Sequence, residues 1–307
     1  MVLATIDVGT NTTLLLIARV REDGRLEAVD QRAEITRLGR GIGAGGALGA
    51  EGIGATLAAL RGYADLARAH GARIAAVGTE ALRRAPNGPD FLLPAAETLG
   101  VPIEVIDGER EAELTFRAVI ESFPDARQGH LIVVDIGGGS TEIVLADGGR
   151  HTLARSLPLG SVRLTEQNVH NDPIAPGELQ AVRAAVASGL AGIDFPPGAA
   201  LVGVAGTVTS LAAMAESMAT YDPERVHGYR LSRAQLAAQI ARLAVSRQPD
   251  RERMIGLDPR RADVILAGAV ILEGIAAAAG ATEVRVSDRG IRWGLARELA
   301  EKLGRSA

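Results

Sequence analysis

The residues with the clearest chemical signature lie in one segment, 130–146, near the middle of the chain. A short apolar run ends in Asp135, three glycines and a Ser-Thr pair follow, and a second apolar run begins after Glu142. This pattern predicts a strand, a tight turn and a second strand. Glycine lets backbone N–H groups approach an anion closely, and the hydroxyls of Ser140 and Thr141 add donors. The turn therefore predicts a phosphate-binding loop.

The two carboxylates beside this turn are more than phosphate binding alone requires. Asp135 precedes the glycines, and Glu142 follows the Ser-Thr pair. Carboxylates next to bound phosphate suggest a hard cation, usually Mg²⁺, held between protein and phosphate. A plain glycine-rich hairpin with two exposed acids is the alternative that this segment by itself leaves open.

The segment has a second copy near the start of the chain, offset by 128 residues. The matched pairs are Asp7 with Asp135, Gly9 with Gly137, Thr12 with Ser140, Thr13 with Thr141 and Thr79 with Thr207. A repeat this long indicates a duplicated domain rather than a solenoid, whose periods are far shorter. Glu142 occupies the place that Leu14 has in the first copy. Because only one copy carries this charge, a role of Glu142 in chemistry is favoured over a role in folding.

Two further groups of charged residues could serve phosphate chemistry. Arg83 and Arg84 follow the first Gly-Thr pair at a predicted helix start, where guanidinium forks would match phosphate oxygens. A solvated arginine pair is the alternative. Glu109, Glu111 and Glu113 begin another predicted helix, where the helix dipole favours acids whatever their function. One of the three could act as a general base; we select Glu111, although the spacing does not separate it from its neighbours.

Two other patterns resemble ligand sites only formally. Gly41, Gly43 and Gly46 satisfy G-x-G-x-x-G, but no unbroken hydrophobic strand precedes them, so we predict a flexible loop rather than a dinucleotide site. The His-Asn-Asp triplet at 170–172 stands beside Pro173 and is more typical of a turn and helix cap than of a metal site.

The composition limits the classes of function. The chain has 307 residues, enough for two domains, and its 47% hydrophobic but 3% aromatic content predicts aliphatic cores. A net charge of −4 argues against a general nucleic-acid binder, and the sequence has no cysteine for thiol chemistry. Asp7 comes too early for a signal peptide, and Glu273 makes the apolar stretch 264–281 a predicted buried helix. We expect a cytoplasmic protein without nucleic-acid or membrane partners.

Together these residues resemble the exopolyphosphatase and guanosine pentaphosphate phosphohydrolase (Ppx/GppA) phosphatase family over essentially the whole chain. The matching segments are 7–11, 78–83, 108–111, 135–142, 206–209, 226–228, 256–263 and 287–292. The resemblance implies an α/β fold of two duplicated ribonuclease H-like domains, similar to the actin, sugar-kinase and Hsp70 superfamily, with an interdomain cleft. The first domain is expected over 1–126, with a C-terminal helix at 296–307 packing back on it, and the second over 127–295.

The resemblance also implies roles for particular residues. Glu111 is the expected general base, and Asp135 and Glu142 are the expected acids around the catalytic water. The same two acids and Asp7 are expected to bind a divalent cation, Mg²⁺. The residues expected to bind substrate phosphates are Asn11, Thr12, Arg83, Gly137, Gly138, Gly139, Ser140, Thr141, Gly206 and Thr207.

The reaction that this resemblance implies is hydrolysis of the terminal phosphoanhydride of inorganic polyphosphate, with release of orthophosphate. A close alternative substrate is the 5′-phosphate of guanosine pentaphosphate, a nucleotide of the stringent response. An ATP-dependent small-molecule kinase of the same superfamily is more distant, because residues 14–17 of the first hairpin lack Lys and Arg. A non-catalytic, actin-type assembly protein is a third class. A homodimer is the family expectation.

Overall fold

The computed structural model describes residues 1–42 and 46–304, so Gly43 of the predicted glycine-rich loop lies outside the described residues. The chain divides into two compact units, Met1–Leu114 with Ile291–Ala307, and Thr115–Gly290. The boundaries expected from the sequence, after residues 126 and 295, come later in the chain. The polar, turn-rich segment 124–129 favours the first of these boundaries, whereas the division falls inside the continuous helix Gly108–Ser122, which turn-forming residues cannot reveal. None of the described helices is long and apolar enough to cross a membrane.

The first unit is built on a five-stranded sheet with the order β3-β2-β1-β4-β5. Its strands are β1 (Val2–Val8), β2 (Thr13–Val20), β3 (Leu26–Glu34), β4 (Arg73–Gly78) and β5 (Ile103–Val105). Its helices include α1 (Ala50–Ala69), α2 (Glu80–Arg84), α3 (Gly88–Leu99) and the first turns of α4 (Gly108–Ser122). The first three strands are antiparallel, and β4 and β5 continue the sheet in parallel. All of β1 after its first residue is buried, as expected for a central strand covered on both faces.

The second unit contains a six-stranded sheet with the order β10-β11-β9-β6-β7-β8. Its strands are β6 (His130–Ile136), β7 (Thr141–Asp147), β8 (Arg150–Leu157), β9 (Ala200–Val204), β10 (Arg230–Ser232) and β11 (Glu283–Val286). Its helices include α5 (Ser161–Asn168), α6 (Pro176–Gly189), α7 (Ala205–Ala215), α8 (Pro223–Val226), α9 (Arg233–Val245), α10 (Gln248–Arg251) and α11 (Ile265–Ala278). The apolar stretch 264–281 contains the predicted buried helix, α11, which covers Ile265–Ala278 and lies in the core of this unit.

The predicted duplication is confirmed by the topology of the two sheets. In each unit two hairpins form three antiparallel strands, and a further strand then runs parallel to the first. The turns also match, because the amide of Gly9 donates to the Thr12 carbonyl (3.1 Å) and that of Gly137 to the Ser140 carbonyl (3.0 Å). The fold is therefore α/β with two related domains.

The last helix of the chain, α12 (Ile291–Gly304), belongs to the first unit. Thr5 Oγ1 donates to the carbonyl oxygen of Arg292 (2.8 Å), and the guanidinium of Arg292 donates to the carbonyl oxygen of Leu15 (3.2 Å). Ile291 and Leu295 pack in an apolar cluster with side chains of β4 and α4. The helix is thus fastened to the central strands and to the helix that begins at Gly108.

A stacked aromatic cluster joins three parts of the second unit. The rings of Phe123 and His227 stack with centroids 4.7 Å apart and an interplanar angle of 13°. The guanidinium of Arg285 lies 3.9 Å from the Phe123 centroid and also forms an ion pair with Asp125 (2.6 Å). Burial, together with the charges of Arg289 and Arg285, lowers the pKa of His227 to about 4. The imidazole is therefore neutral at physiological pH.

His227 makes the stability of the protein depend on pH in a defined direction. The unfolded chain takes up a proton on this residue as the pH falls below about 6.5, whereas the folded protein resists it until about pH 4. The contribution of His227 to the free energy of unfolding is therefore intact above pH 6.5 and is lost as the pH falls from about 6.5 to about 4. We expect the free energy of unfolding to fall by about 1 kcal/mol more per pH unit in the wild type than in His227→Phe. Denaturant titrations at several pH values, with exposed His170→Gln as control, test this; equal slopes for wild type and His227→Phe would contradict it.

Candidate active site

The hairpin turn of the first unit offers a hydrogen-bond donor for an anion. Asn11 is 7% exposed, and its side-chain nitrogen is buried without a hydrogen-bond partner among the described residues. The Asn11 carbonyl accepts from the amide of Arg37 (3.0 Å), and the neighbouring Thr10 carbonyl accepts from the amide of Gly39 (2.8 Å). A buried donor without a partner is costly unless a ligand satisfies it, so this amide fits a phosphate oxygen.

The hairpin turn of the second unit is held from behind by the start of α5. The Gly137 carbonyl accepts from the amide of Ser161 (3.0 Å), and that of Gly138 from the amides of Val162 (2.9 Å) and Arg163 (3.1 Å). The Gly139 carbonyl accepts from Arg163 Nε (2.7 Å). Because the carbonyls are used in this way, the turn can present its N–H groups to an anion, as a phosphate-binding nest requires.

Close packing explains why the second turn needs small residues around it. A Cβ atom at Gly160 would overlap the backbone of Gly138 and Gly139. Thr141 Oγ1 donates to the Leu159 carbonyl, which ties the end of the turn to the same segment. The shape of the turn is thus fixed by packing before any ligand binds.

The two acids of the second unit are buried neighbours. Asp135 and Glu142 are cross-strand partners in the β6–β7 hairpin, with exposures of 8% and 3%. Asp135 accepts a hydrogen bond from Thr115 Oγ1 (3.1 Å), and Glu142 accepts one from Ser156 Oγ (2.6 Å). Burial raises the pKa of Asp135 to about 6, against the opposing effect of the Thr115 hydrogen bond. A carboxyl that titrates near neutral pH beside a phosphate-type turn is typical of a functional site.

In the first unit, the structure separates Glu111 from the two acids around it. Glu111 is 4% exposed, whereas Glu109 and Glu113 lie on the exposed side of α4. One guanidinium nitrogen of Arg83 donates to Glu111 Oε1 and also to the carbonyl of Ile106 (2.6 Å). The two predicted residues therefore form an ion pair within this unit.

The neighbouring arginine has a different partner. Arg84 pairs with Glu80 (2.9 Å) within α2, and Glu80 Oε2 accepts from Thr10 Oγ1 (3.3 Å) in the hairpin turn. Helix α2 thus connects the hairpin turn of the first unit to Glu111. Residue type and spacing left the two arginines equivalent; Arg83, which the resemblance indicates, is the one beside the predicted base.

Sequence reasoning missed one residue beside a predicted phosphate loop. The guanidinium of Arg261 packs directly on Gly206, where a Cβ atom would overlap it. Its neighbour Arg260 is instead bound to Asp258 (3.0 Å). Gly206 and Thr207 lie in the first turn of α7, and a Cβ atom at Gly268 would lie 2.6 Å from Thr207 Oγ1, so α11 approaches Thr207 closely. The sequence signal that could have indicated Arg261 is the arginine pair in the segment 256–263. The two arginines cannot be distinguished without the fold.

The predicted site residues fall into two sets. The first unit holds Asp7, Asn11, Thr12, Arg83 and Glu111, and the second holds Asp135, Gly137, Gly138, Gly139, Ser140, Thr141, Glu142, Gly206 and Thr207. Within the first set Arg83 meets Glu111, and within the second Asp135 faces Glu142. The predicted cation ligands belong to different units: Asp7 to the first, and Asp135 and Glu142 to the second. Each unit carries its own phosphate-type turn and its own carboxylates.

The described residues contain no ready-made cluster of three or more His, Cys, Asp or Glu side chains that could hold a metal ion. The donor chemistry nevertheless fits Mg²⁺. Asp135 is desolvated and receives a hydrogen bond at one oxygen, so its carboxylate retains lone pairs for a cation. Mg²⁺ usually binds through one or two carboxylates, with phosphates and water completing its shell.

This combination of a duplicated α/β fold, phosphate-type turns and buried carboxylates is that of a phosphate-processing enzyme, and comparison with known proteins identifies the family. The family model described as "Ppx/GppA phosphatase family" matches residues 16–303, and the chain belongs to this family. It is 38% identical to Exopolyphosphatase 2 of Mycobacterium tuberculosis, over 97% of this chain and 98% of that protein.

Solved structures agree with this assignment. The Aquifex aeolicus member of the Ppx/GppA family is 34% identical, with a TM-score of 0.83 over 98% of both chains. An exopolyphosphatase from Cytophaga hutchinsonii is 25% identical, with a TM-score of 0.90 over 98% of both chains. The chain is therefore a phosphoanhydride hydrolase by family and by fold.

Proposed function

We propose that this protein is an exopolyphosphatase, which hydrolyses the terminal phosphoanhydride of inorganic polyphosphate and releases orthophosphate. The observation that carries the proposal is the ion pair between Arg83 and the buried carboxylate of Glu111. It supports the proposal because the guanidinium of Arg83, which would bind phosphate, contacts the candidate general base. The relative in Mycobacterium tuberculosis, which bears the name exopolyphosphatase, supports the same substrate.

In this proposal Glu111 acts as the general base. It takes a proton from a water molecule whose oxygen attacks the terminal phosphorus, while the anhydride P–O bond breaks and the shortened chain leaves with the bonding electron pair. Phosphoryl transfer depends mainly on positioning and on neutralising charge, which Arg83 and the N–H groups of the glycine-rich turns would supply. Asn11 and Thr207 would bind further phosphate oxygens.

We also propose that the reaction uses Mg²⁺. Asp135 and Glu142 would hold the ion. When bound, the ion would neutralise negative charge on the phosphate oxygens. The raised pKa of Asp135 supports this role, because a desolvated carboxyl gains most from a cation that stabilises its ionised form.

Guanosine pentaphosphate is a second candidate substrate, and the family description, which covers both Ppx and GppA, favours it. Its 5′ end carries the same terminal phosphoanhydride, so the same residues could serve; acting on it would connect the protein to the stringent response. A kinase is less well supported, since relatives that match over nearly the full length carry exopolyphosphatase names. The cytoplasmic location and the homodimer stay predictions.

The test is phosphate release from long-chain polyphosphate and from guanosine pentaphosphate, measured side by side. We expect release from polyphosphate in the presence of Mg²⁺, its loss when EDTA removes the cation, and its return when Mg²⁺ is added in excess. Release only from the nucleotide would make the second candidate correct. Release from neither substrate, in protein with a folded circular dichroism spectrum, would reject both.

A further inference from the structure

The helix that carries Glu111 is fastened by an ion pair to the last helix of the chain. Arg110 Nη2 donates to Glu298 Oε2 in α12, while Arg110 Nη1 donates to Glu113 (2.6 Å) on its own helix. Glu298 also accepts from Lys302 Nζ (2.6 Å). The side chains of Arg110 and Glu298 are 28% and 15% exposed, so salt screens this pair less than a surface pair.

The same two helices touch through their backbones. A Cβ atom at Gly294 of α12 would overlap the carbonyl of Leu114 on α4. Leu114 also packs in the apolar cluster that contains Ile291 and Leu295. The approach is close because glycine adds no side chain between the helices. Contacts before and after Glu111, at Arg110 and Leu114, therefore fix this part of α4 against α12.

This anchoring matters once substrate binds. Glu111 is held by Arg83, but a guanidinium engaged by a substrate phosphate has fewer donors left for the carboxylate. The position of the carboxylate then depends more on the rigidity of its own helix. A displacement of about 1 Å at a reacting group can lower a rate by about 100-fold. Rigidity in the first turns of α4 therefore bears directly on the proposed proton transfer.

We propose that Arg110 and Glu298 are positioning residues for the hydrolysis, through which α12 holds the first turns of α4 and so orients the Glu111 carboxylate. The proposal rests on the proposed function of Glu111 as the general base. Glu298 suits the role because it remains ionised: burial acts to raise its pKa, but the hydrogen bonds from Lys302 and Arg110 outweigh that effect and lower it. Neither residue is expected to touch the substrate.

The chain offers matched controls for this proposal. Arg110→Met and Glu298→Gln each remove the pair between the helices. Glu113→Gln and Lys302→Met each remove the second partner of one member and leave that pair in place. We expect the first two variants to lower kcat for polyphosphate about tenfold or more with KM within about twofold, and the controls to stay near wild type. The exchanged pair Arg110→Glu with Glu298→Arg should recover part of kcat, which general destabilisation would not produce.

Amide hydrogen exchange of residues 108–114 provides a readout that does not depend on activity. We expect faster exchange in Arg110→Met than in Glu113→Gln. Wild-type kcat in Arg110→Met and Glu298→Gln would overturn the inference and leave the proposed function intact. If the wild type released no phosphate, the proposed function would fail. The exchange measurement would then test the anchoring alone: unchanged exchange in Arg110→Met would reject it, and faster exchange would support it.

Discussion

Replacing Glu111 by glutamine should lower phosphate release from polyphosphate by about 10²–10⁴-fold while leaving binding of the chain intact. Glutamine keeps the size of the side chain and can still accept a hydrogen bond from Arg83, but it cannot take a proton from water. The variant also removes the negative partner of the Arg83 guanidinium. Polyphosphate, a polyanion, should therefore bind at least as tightly as it does to the wild type.

The measurement is kcat by phosphate release, together with the dissociation constant for polyphosphate. Glu109→Gln and Glu113→Gln are the matched controls, because both lie on the same turns of α4 but are exposed. They should retain activity within a fewfold of wild type. Near-normal turnover in Glu111→Gln would show that another group accepts the proton. Loss of binding together with turnover would instead indicate that Glu111 acts by holding Arg83 in place.

Replacing Asp135 by asparagine should abolish most activity and at the same time make the protein more stable at neutral pH. Burial raises the pKa of Asp135 from 3.8 to about 6, so the folded state holds an ionised carboxylate at pH 7 that the unfolded state solvates better. The stability associated with this raised pKa is present in full below about pH 4 and is lost as the pH rises through about 6. Asparagine keeps the acceptor for Thr115 without the charge. We expect the free energy of unfolding above pH 7 to rise by about 1–3 kcal/mol.

Denaturant titration of wild type and variant between about pH 4 and pH 8 tests this expectation. The gain in the free energy of unfolding of Asp135→Asn over the wild type should shrink as the pH falls, because Asp135 becomes protonated in the folded wild type. Asp147→Asn, an exposed acid at the end of the same hairpin, is the control and should change stability little. A variant that is less stable than wild type at pH 8, or a gain that persists at pH 4, would contradict the assigned pKa. A functional carboxylate whose removal stabilises the fold is the expected trade-off at a site built for chemistry.

Asp135 and His227 have opposite effects on how the stability of the protein depends on pH. Between about pH 4 and pH 6, acidification favours the folded state through Asp135 and disfavours it through His227. The wild type should consequently show a flatter stability profile in this window than either variant. His227→Phe alone should leave the Asp135 contribution visible, as a rise in stability on acidification.

Much of the fold could be predicted from the sequence because local signals agree with the tertiary structure. The apolar run at 2–8 predicts a strand and the helical spacing at 51–70 predicts a helix; the structure has β1 at Val2–Val8 and α1 at Ala50–Ala69. The hairpin that contains Asp135 also forms as predicted, with strands a residue or two longer at each end. Apolar runs bounded by glycine are reliable here because their ends coincide with real turns. The duplication followed from the offset of 128 residues alone.

The sequence by itself determined the class of chemistry. Three glycines, two hydroxyls and two flanking acids predict a phosphate-type turn with carboxylates, and the burial of both acids in the structure excludes the plain hairpin with exposed acids. The order of the motifs along the chain was enough to indicate the family, and the comparisons confirmed it. The turn motif and the order of the motifs can be read from the sequence because they depend only on residues that are neighbours in the chain and on the backbone freedom of glycine.

Only the tertiary structure separated side chains that look equivalent in residue type and spacing. Glu109, Glu111 and Glu113 look alike in sequence, and burial separates the middle one; likewise packing on Gly206 separates Arg261 from Arg260. The anchoring of α4 by Glu298 joins residues 188 positions apart. Burial and such distant contacts depend on how helices and strands pack, and residue type and spacing do not encode that packing locally.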